Sequence, residues 1–404
     1  MNYNSVMTLQ YDWDDVLWKL EGEVWISYKV KDEKSIHGKL RCTQIATNGL
    51  PKITASNGFS VEKISKDSLQ IKFKDAPFAT TFIAASKVYS GIHKKGIISL
   101  GISHKGYSVS ACKDNQLVVW DFNQGELKCT LAGHVGDVYK CKFFPSGVVV
   151  LSGGADMQLK IWCALTGTCP VTLIGHTMAV TDFDFIGRGK NVLSVSKDGL
   201  AKLWCCASSS CIADLVKLGS TINCCQVFTA PASLPLGHPE SEPSDQEVDT
   251  KDKIVLLGCE DGSVHCVAIF SRKTLFSFTC KSPVNTLAFI TDSHFVVGCQ
   301  SGEILLYTVD NPNVPVQSWY ESNSAVCCVV RYGDGGHLSS HADGSVVFRH
   351  VRHPDKRVVL TGPNCDPVYQ LCAEQQFVYT CSRDALIRRY TIERVIHTLL
   401  NDQQ

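Results

Sequence analysis

Three segments of the chain superpose without gaps on a period of 42 residues. They run from Ser110 through Asp114 to Trp120, from Ser152 through Asp156 to Trp162, and from Ser194 through Asp198 to Trp204. In each, serine stands four residues before the aspartate and tryptophan six after it. His93, His134 and His176 precede those aspartates by 21, 22 and 22 residues. A repeat of this length is one supersecondary unit that cannot bury its own apolar face. Neighbouring copies must therefore stack on each other to make a core.

The repeated residue types explain what holds a unit together. Histidine and indole N–H groups donate, a carboxylate accepts, and a hydroxyl does both, so the four can close a buried polar network. This set resembles the blade of a WD-repeat propeller. The signature dipeptide survives as Trp120-Asp121, while Cys163 and Cys205 follow the other two tryptophans. A serine, histidine and aspartate could also suggest a hydrolase triad. Three copies in phase, each with its own structural task, argue against catalysis.

Weaker copies continue the count. Asp261, Ser301, Asp343 and Asp384 fall at turn positions, with Val267, Tyr307, Arg349 and Tyr390 where the tryptophan stood. Thr380 keeps a hydroxyl four residues before Asp384. Short apolar strands flank each turn, which makes seven units. Between Asp198 and Asp261 an extra 21 residues appear. Their source is 230–252, with four prolines, six acids against one base and no aromatic residue. That composition suggests a disordered acidic loop between the first two strands of blade four, on the face opposite the histidine loops. The expected fold is all-β, a seven-bladed WD-repeat β-propeller over 79–404 with a small N-terminal α+β extension over 1–78.

The ends must close the ring, because an open edge strand recruits other chains. Either Thr80–Ile83 or Lys87–Tyr89 suits the outer strand of the last blade. Residues 391–400 fit a short helix or a strand. Within the extension, 12–20 suggest an amphipathic helix, and 23–28, 39–45, 59–64 and 69–73 suggest strands. Trp13, Trp18 and Trp25 are expected in its core.

Lys+Arg and Asp+Glu are both 39, so no global field attracts nucleic acid or an anionic membrane. No apolar run is long enough to span a bilayer. The N-terminus lacks the pattern of a secretory signal, so the protein is expected in the cytoplasm and nucleus. None of the 20 cysteines forms a C-x-x-C pair, which argues against the common zinc spacings. No catalytic, cofactor-binding or metal-ligating residue is expected, and the chain is expected to be a monomer.

In a propeller the histidine loops and aspartate turns share one face, where a stiff scaffold sets exposed side chains for binding. The candidates there are Asp137, Tyr139, Asp182, Glu260, Asp366, Tyr369 and Arg383, with Thr181, Asn285, Lys113 and Lys197 beside them. Tyrosine and arginine are common interface anchors.

The stretches Phe143–Gly147, Leu151–Trp162, Cys365–Tyr369 and Thr380–Tyr390, with the N-terminal EGEVWIS and TASNGFSV, resemble the proteasomal ATPase-associated factor family. The resemblance covers nearly the whole chain. It implies a chaperone for assembly of the proteasome regulatory particle. Such a factor binds the C-terminal domain of an AAA ATPase subunit and restrains premature docking on the core particle. The alternatives are a substrate receptor of a cullin ubiquitin ligase and a general scaffold. Against the ligase reading, no arginine follows Trp120, Trp162 or Trp204 at the spacing such receptors use.

Overall fold

A computed structural model of the chain describes residues 5–30, 33–239, 242–374 and 376–401. Seven sheets radiate around a central channel, each starting at its innermost strand and stepping outward by antiparallel hairpins. Blades one to six occupy 97–130, 138–174, 180–217, 222–279, 284–320 and 326–360, and blade seven begins at 368. The second strand of a blade is packed on both sides, so it is buried throughout, as in Asn191–Ser196. Apolar side chains from adjacent blades merge into shared clusters, such as Val255 and Leu257 of blade four with Leu193 and Leu203 of blade three.

The innermost strands have no backbone partner on the channel side. Side chains of the preceding blade supply acceptors instead. Ser99 accepts from the N–H of Cys141 at 2.9 Å, Asp182 from Cys225 at 3.1 Å, and Asp184 from Val227 at 2.9 Å. Gln226 accepts from Phe289 at 2.6 Å and Thr286 from Val329 at 3.0 Å. Gln370 of blade seven accepts from Leu100 of blade one at 3.4 Å. Buried backbone donors are thereby satisfied around the ring.

Both candidate closing strands are used, in different places. Lys87–Tyr89 pairs antiparallel with Ile387–Thr391 and completes blade seven. Thr80–Ile83 pairs parallel with His353–Leu360 of blade six, and Ser68–Phe73 and Phe59–Ile64 follow it to make seven strands. Burial explains the division. All four residues of Thr80–Ile83 are buried, so they need cover on both sides, whereas Lys87 and Val88 tolerate solvent at an edge.

A separate four-stranded sheet comprises Ser5–Leu9, Glu23–Val30, Ile36–Ile45 and Pro51–Ala55. Its first and last strands add to the two expected there. The expected helix at 12–20 shrinks to Trp13–Val16, although Trp13 is wholly buried and donates to Thr361 at 2.8 Å. Trp25 is a correction, being 49% exposed. Its strand alternates, with Val24, Ile26 and Tyr28 facing inward, so Trp25 faces out. Residues 393–401 are a helix whose Ile396 packs on the core of blades six and seven.

The acidic insert also departs from expectation. Asn191 holds it by donating to the carbonyl of Gln246 at 3.1 Å and accepting from Val248 at 2.6 Å. Glu247 pairs with Arg272, and Thr250 is buried. Leu234 and Leu236 pack on the core shared by blades four and five. The insert is a strap fixed by a few polar and apolar anchors, which a tally of charges does not register.

Candidate functional site

The tetrads of blades two and three are built alike. His134 Nδ1 lies 2.8 Å from Asp156 and its Nε2 2.6 Å from Ser152, which accepts from the Trp162 indole at 2.8 Å. His176 repeats this with Asp198 at 2.9 Å and Ser194 at 2.8 Å, and Trp204 donates to Ser194 at 2.8 Å. Burial pulls both histidines below their usual pKa, outweighing the neighbouring carboxylates, so they stay neutral. Burial pushes Asp198 up, but N–H groups of Thr177 and Leu200 and the His176 contact hold it below the usual carboxylate range.

Blade one keeps His93 against Ser110 at 2.7 Å and Trp120 against Ser110 at 3.1 Å. Asp114 accepts from the thiol of Cys112 instead of His93. Blade seven rebuilds the network around arginine, with Arg388 on Asp384 at 2.6 Å and on Ser382 at 3.0 Å. In blade six the tryptophan position holds Arg349, drawn into an ion pair with the buried Glu321. The hydroxyls of Ser110, Ser152 and Ser194 are wholly buried and accept from tryptophan, so these networks brace turns.

The binding face is shaped by a recurrent irregularity. Every innermost strand shifts register by one residue near its histidine-loop end, at Ile98, Tyr139, Thr181, Asn223, Asn285, Cys327 and Tyr369. A bulged residue leaves the alternation and is re-aimed. Three of them lock blades together. Thr181 donates to the carbonyl of Ile222 at 2.5 Å, and Asn223 and Asn285 donate to Val284 and Val326 at 3.0 Å each.

Tyr139 and Tyr369 are engaged by lysines from the turn of the following blade. Lys197 sits 5.8 Å from the Tyr139 ring, and Lys113 donates to the Tyr369 hydroxyl at 3.2 Å. Arg383, 57% exposed along its side chain, pairs with Asp366 at 2.9 Å. Glu260 accepts from Asn223 at 2.8 Å. Asp137 is half-buried at the start of blade two, its carbonyl accepting from Ala155. Asn223 and Gln300, which pairs with Asn285 at 2.7 Å, escaped the sequence analysis. The spacing of 42 residues from Tyr139 through Thr181 to Asn223 would have revealed Asn223.

Asp182 does not belong with the others. The bulge at Thr181 reverses parity, so Asp182 lines the channel, pairs with Lys140 at 3.2 Å and accepts from Cys225. Its charge serves the ring. The channel encloses about 520 Å³, with the Lys142–Asp184 pair at 2.7 Å also on its wall.

Seven blades around a channel, two of them braced by complete His–Ser–Asp–Trp networks, define a WD-repeat β-propeller. The family model "WD domain, G-beta repeat" matches 125–163 and 167–205, the two best-formed units. Proteasomal ATPase-associated factor 1 of Homo sapiens is 45% identical over 387 residues, 96% of this chain and 98% of the relative. The Gallus gallus protein of that name is 44% identical over 389 residues, 96% and 99% of the two chains. A Dictyostelium discoideum protein, "Probable proteasomal ATPase-associated factor 1", is 33% identical over 405 residues, 95% of each. The chain belongs to the proteasomal ATPase-associated factor 1 family. Among the described residues no helix is long and apolar enough to cross a membrane.

Proposed function

We propose that this protein is a non-catalytic chaperone of proteasome assembly, acting as a monomer in the cytoplasm and nucleus. Its histidine-loop face docks the C-terminal domain of an AAA ATPase subunit of the regulatory particle and restrains premature docking on the core particle. The names of its relatives support the kind of partner. The observation that carries the choice of face is the set of braced side chains around the channel mouth. Tyr139, Tyr369 and Arg383 are held by Lys197, Lys113 and Asp366 before any partner arrives. Side chains already fixed lose less freedom on binding. The mixed charges of Glu260, Asp366 and Arg383 suit a partner with complementary patches, setting register and association rate.

The test is a pull-down of the isolated ATPase C-terminal domain by the full chain. Charge reversal at Asp137, Glu260 and Asp366 together should abolish capture. A matched reversal at the exposed acids Glu242, Asp245 and Asp249 of the insert, on the opposite face, should leave it intact. The converse result would move the docking site to the other face.

A further inference from the structure

Blade one differs from blades two and three in how its histidine and aspartate are held. In blades two and three both histidine nitrogens have partners. In blade one Nε2 of His93 is held by Ser110, but Nδ1 is buried without a hydrogen-bond partner, in a side chain only 4% exposed. Beside it lies Cys112, wholly buried, whose thiol has taken the carboxylate of Asp114. Ligand atoms of His93, Cys112 and Asp114 all lie within 4.8 Å of one another.

We propose that His93, Cys112 and Asp114 form a binding site for one divalent transition-metal ion of the zinc class. An imidazole nitrogen, a thiolate and a carboxylate oxygen suit a borderline-soft ion, and neither Mg²⁺ nor Ca²⁺ favours sulfur. Three protein ligands leave a fourth position for water or a partner's side chain. Binding exchanges the Cys112 S–H proton for the metal, so one proton is released per ion bound. It also gives His93 Nδ1 the partner it lacks. Ser110 steadies the far nitrogen of His93 and itself accepts from Trp120, the outer support that ligating histidines need.

The site joins the loop carrying His93 to the turn carrying Lys113, which holds Tyr369. An ion there would stiffen one sector of the binding face. The inference stands apart from the choice of partner, since its readout is metal alone.

The test is a titration of the purified full-length chain with Zn²⁺ and, for spectroscopy, Co²⁺. The wild type should bind one equivalent, show a thiolate-to-cobalt charge-transfer band, and gain thermal stability with Zn²⁺. Cys112→Ser should lose the band and weaken Zn²⁺ binding by more than about a hundredfold. That variant copies Ser196, which occupies the same position in blade three, so the fold tolerates it. Cys112→Gly, copying Gly154 of blade two, should behave alike. The other cysteines remain in all three proteins, so equal metal uptake by all three, at any level, overturns the proposal.

Discussion

The guanidinium of Arg357 reaches the buried carboxylate of Glu321 at 2.9 Å and the carbonyl of Met7 at 3.3 Å. Arg349 grips the same carboxylate at 2.5 Å. Arg357 thus ties blade six to the N-terminal sheet, and Glu321, 0% exposed, holds it there. Desolvating three charges is costly, and removing one partner is worse, because the remaining charges stay buried and uncompensated. Glu321→Gln should lower unfolding stability by about 3–5 kcal/mol, measured by urea denaturation. A loss below about 1 kcal/mol would mean that water reaches the arginines.

Acid should weaken the fold in two stages. Burial lowers the pKa of His134 and His176 from 6.5, so the folded state keeps them neutral. Their contribution is complete above that value and declines as pH falls below it. Burial would push Glu321 up from 4.5, but Arg349 and Arg357 outweigh it and hold it down to about 2. Its contribution is complete above 4.5 and is lost as pH falls toward 2. Denaturation midpoints measured across this range should fall in both windows. Glu321→Gln should flatten the lower stage and leave the upper one.

Blade packing makes a third prediction. A Cβ on Gly258 would lie 2.5 Å from Cγ1 of Val284 on the next blade. Gly258→Ala should cost about 1–3 kcal/mol by overpacking. Val284→Ala opens space at the same contact, so the double variant should be more stable than the two single losses predict. Simple additivity in that cycle would show that the alanine is accommodated elsewhere.

The braced tyrosines can be tested kinetically. Lys113→Met and Lys197→Met release Tyr369 and Tyr139 without touching the rings. Together they should weaken capture of the ATPase domain by about tenfold, mostly through faster dissociation, as read by interferometry. Unchanged kinetics would remove preorganisation from the account of this face.

The tetrads were legible in the sequence because His134, Ser152, Asp156 and Trp162 recur with His176, Ser194, Asp198 and Trp204 at fixed offsets. Periodicity carried the ring, but it could not say which of two N-terminal strands closes it. That depended on the buried surface each strand brings, visible only once Thr80–Ile83 meets His353–Leu360. Asp182 was misplaced because a bulge reverses the alternation, and a one-residue register shift has no local sequence mark. The insert was misjudged because Asn191, which anchors it, lies outside it. His93, Cys112 and Asp114 fit no ligand spacing, since the blade's fold rather than the chain's order brings them together.

The closing strands also have a consequence in time. Lys87–Tyr89 and one edge of Thr80–Ile83 are made well before the strands that cover them, Ile387–Thr391 and His353–Leu360. Trp13 waits for Thr361, 348 residues later. Contacts so distant in sequence make folding slow, and they leave edges unpaired meanwhile. The nascent chain must therefore carry these open strand edges, and the sticky rim of an unfinished ring, until blades six and seven have been made. A protein proposed to assist another's assembly is itself a strong candidate for escort during birth.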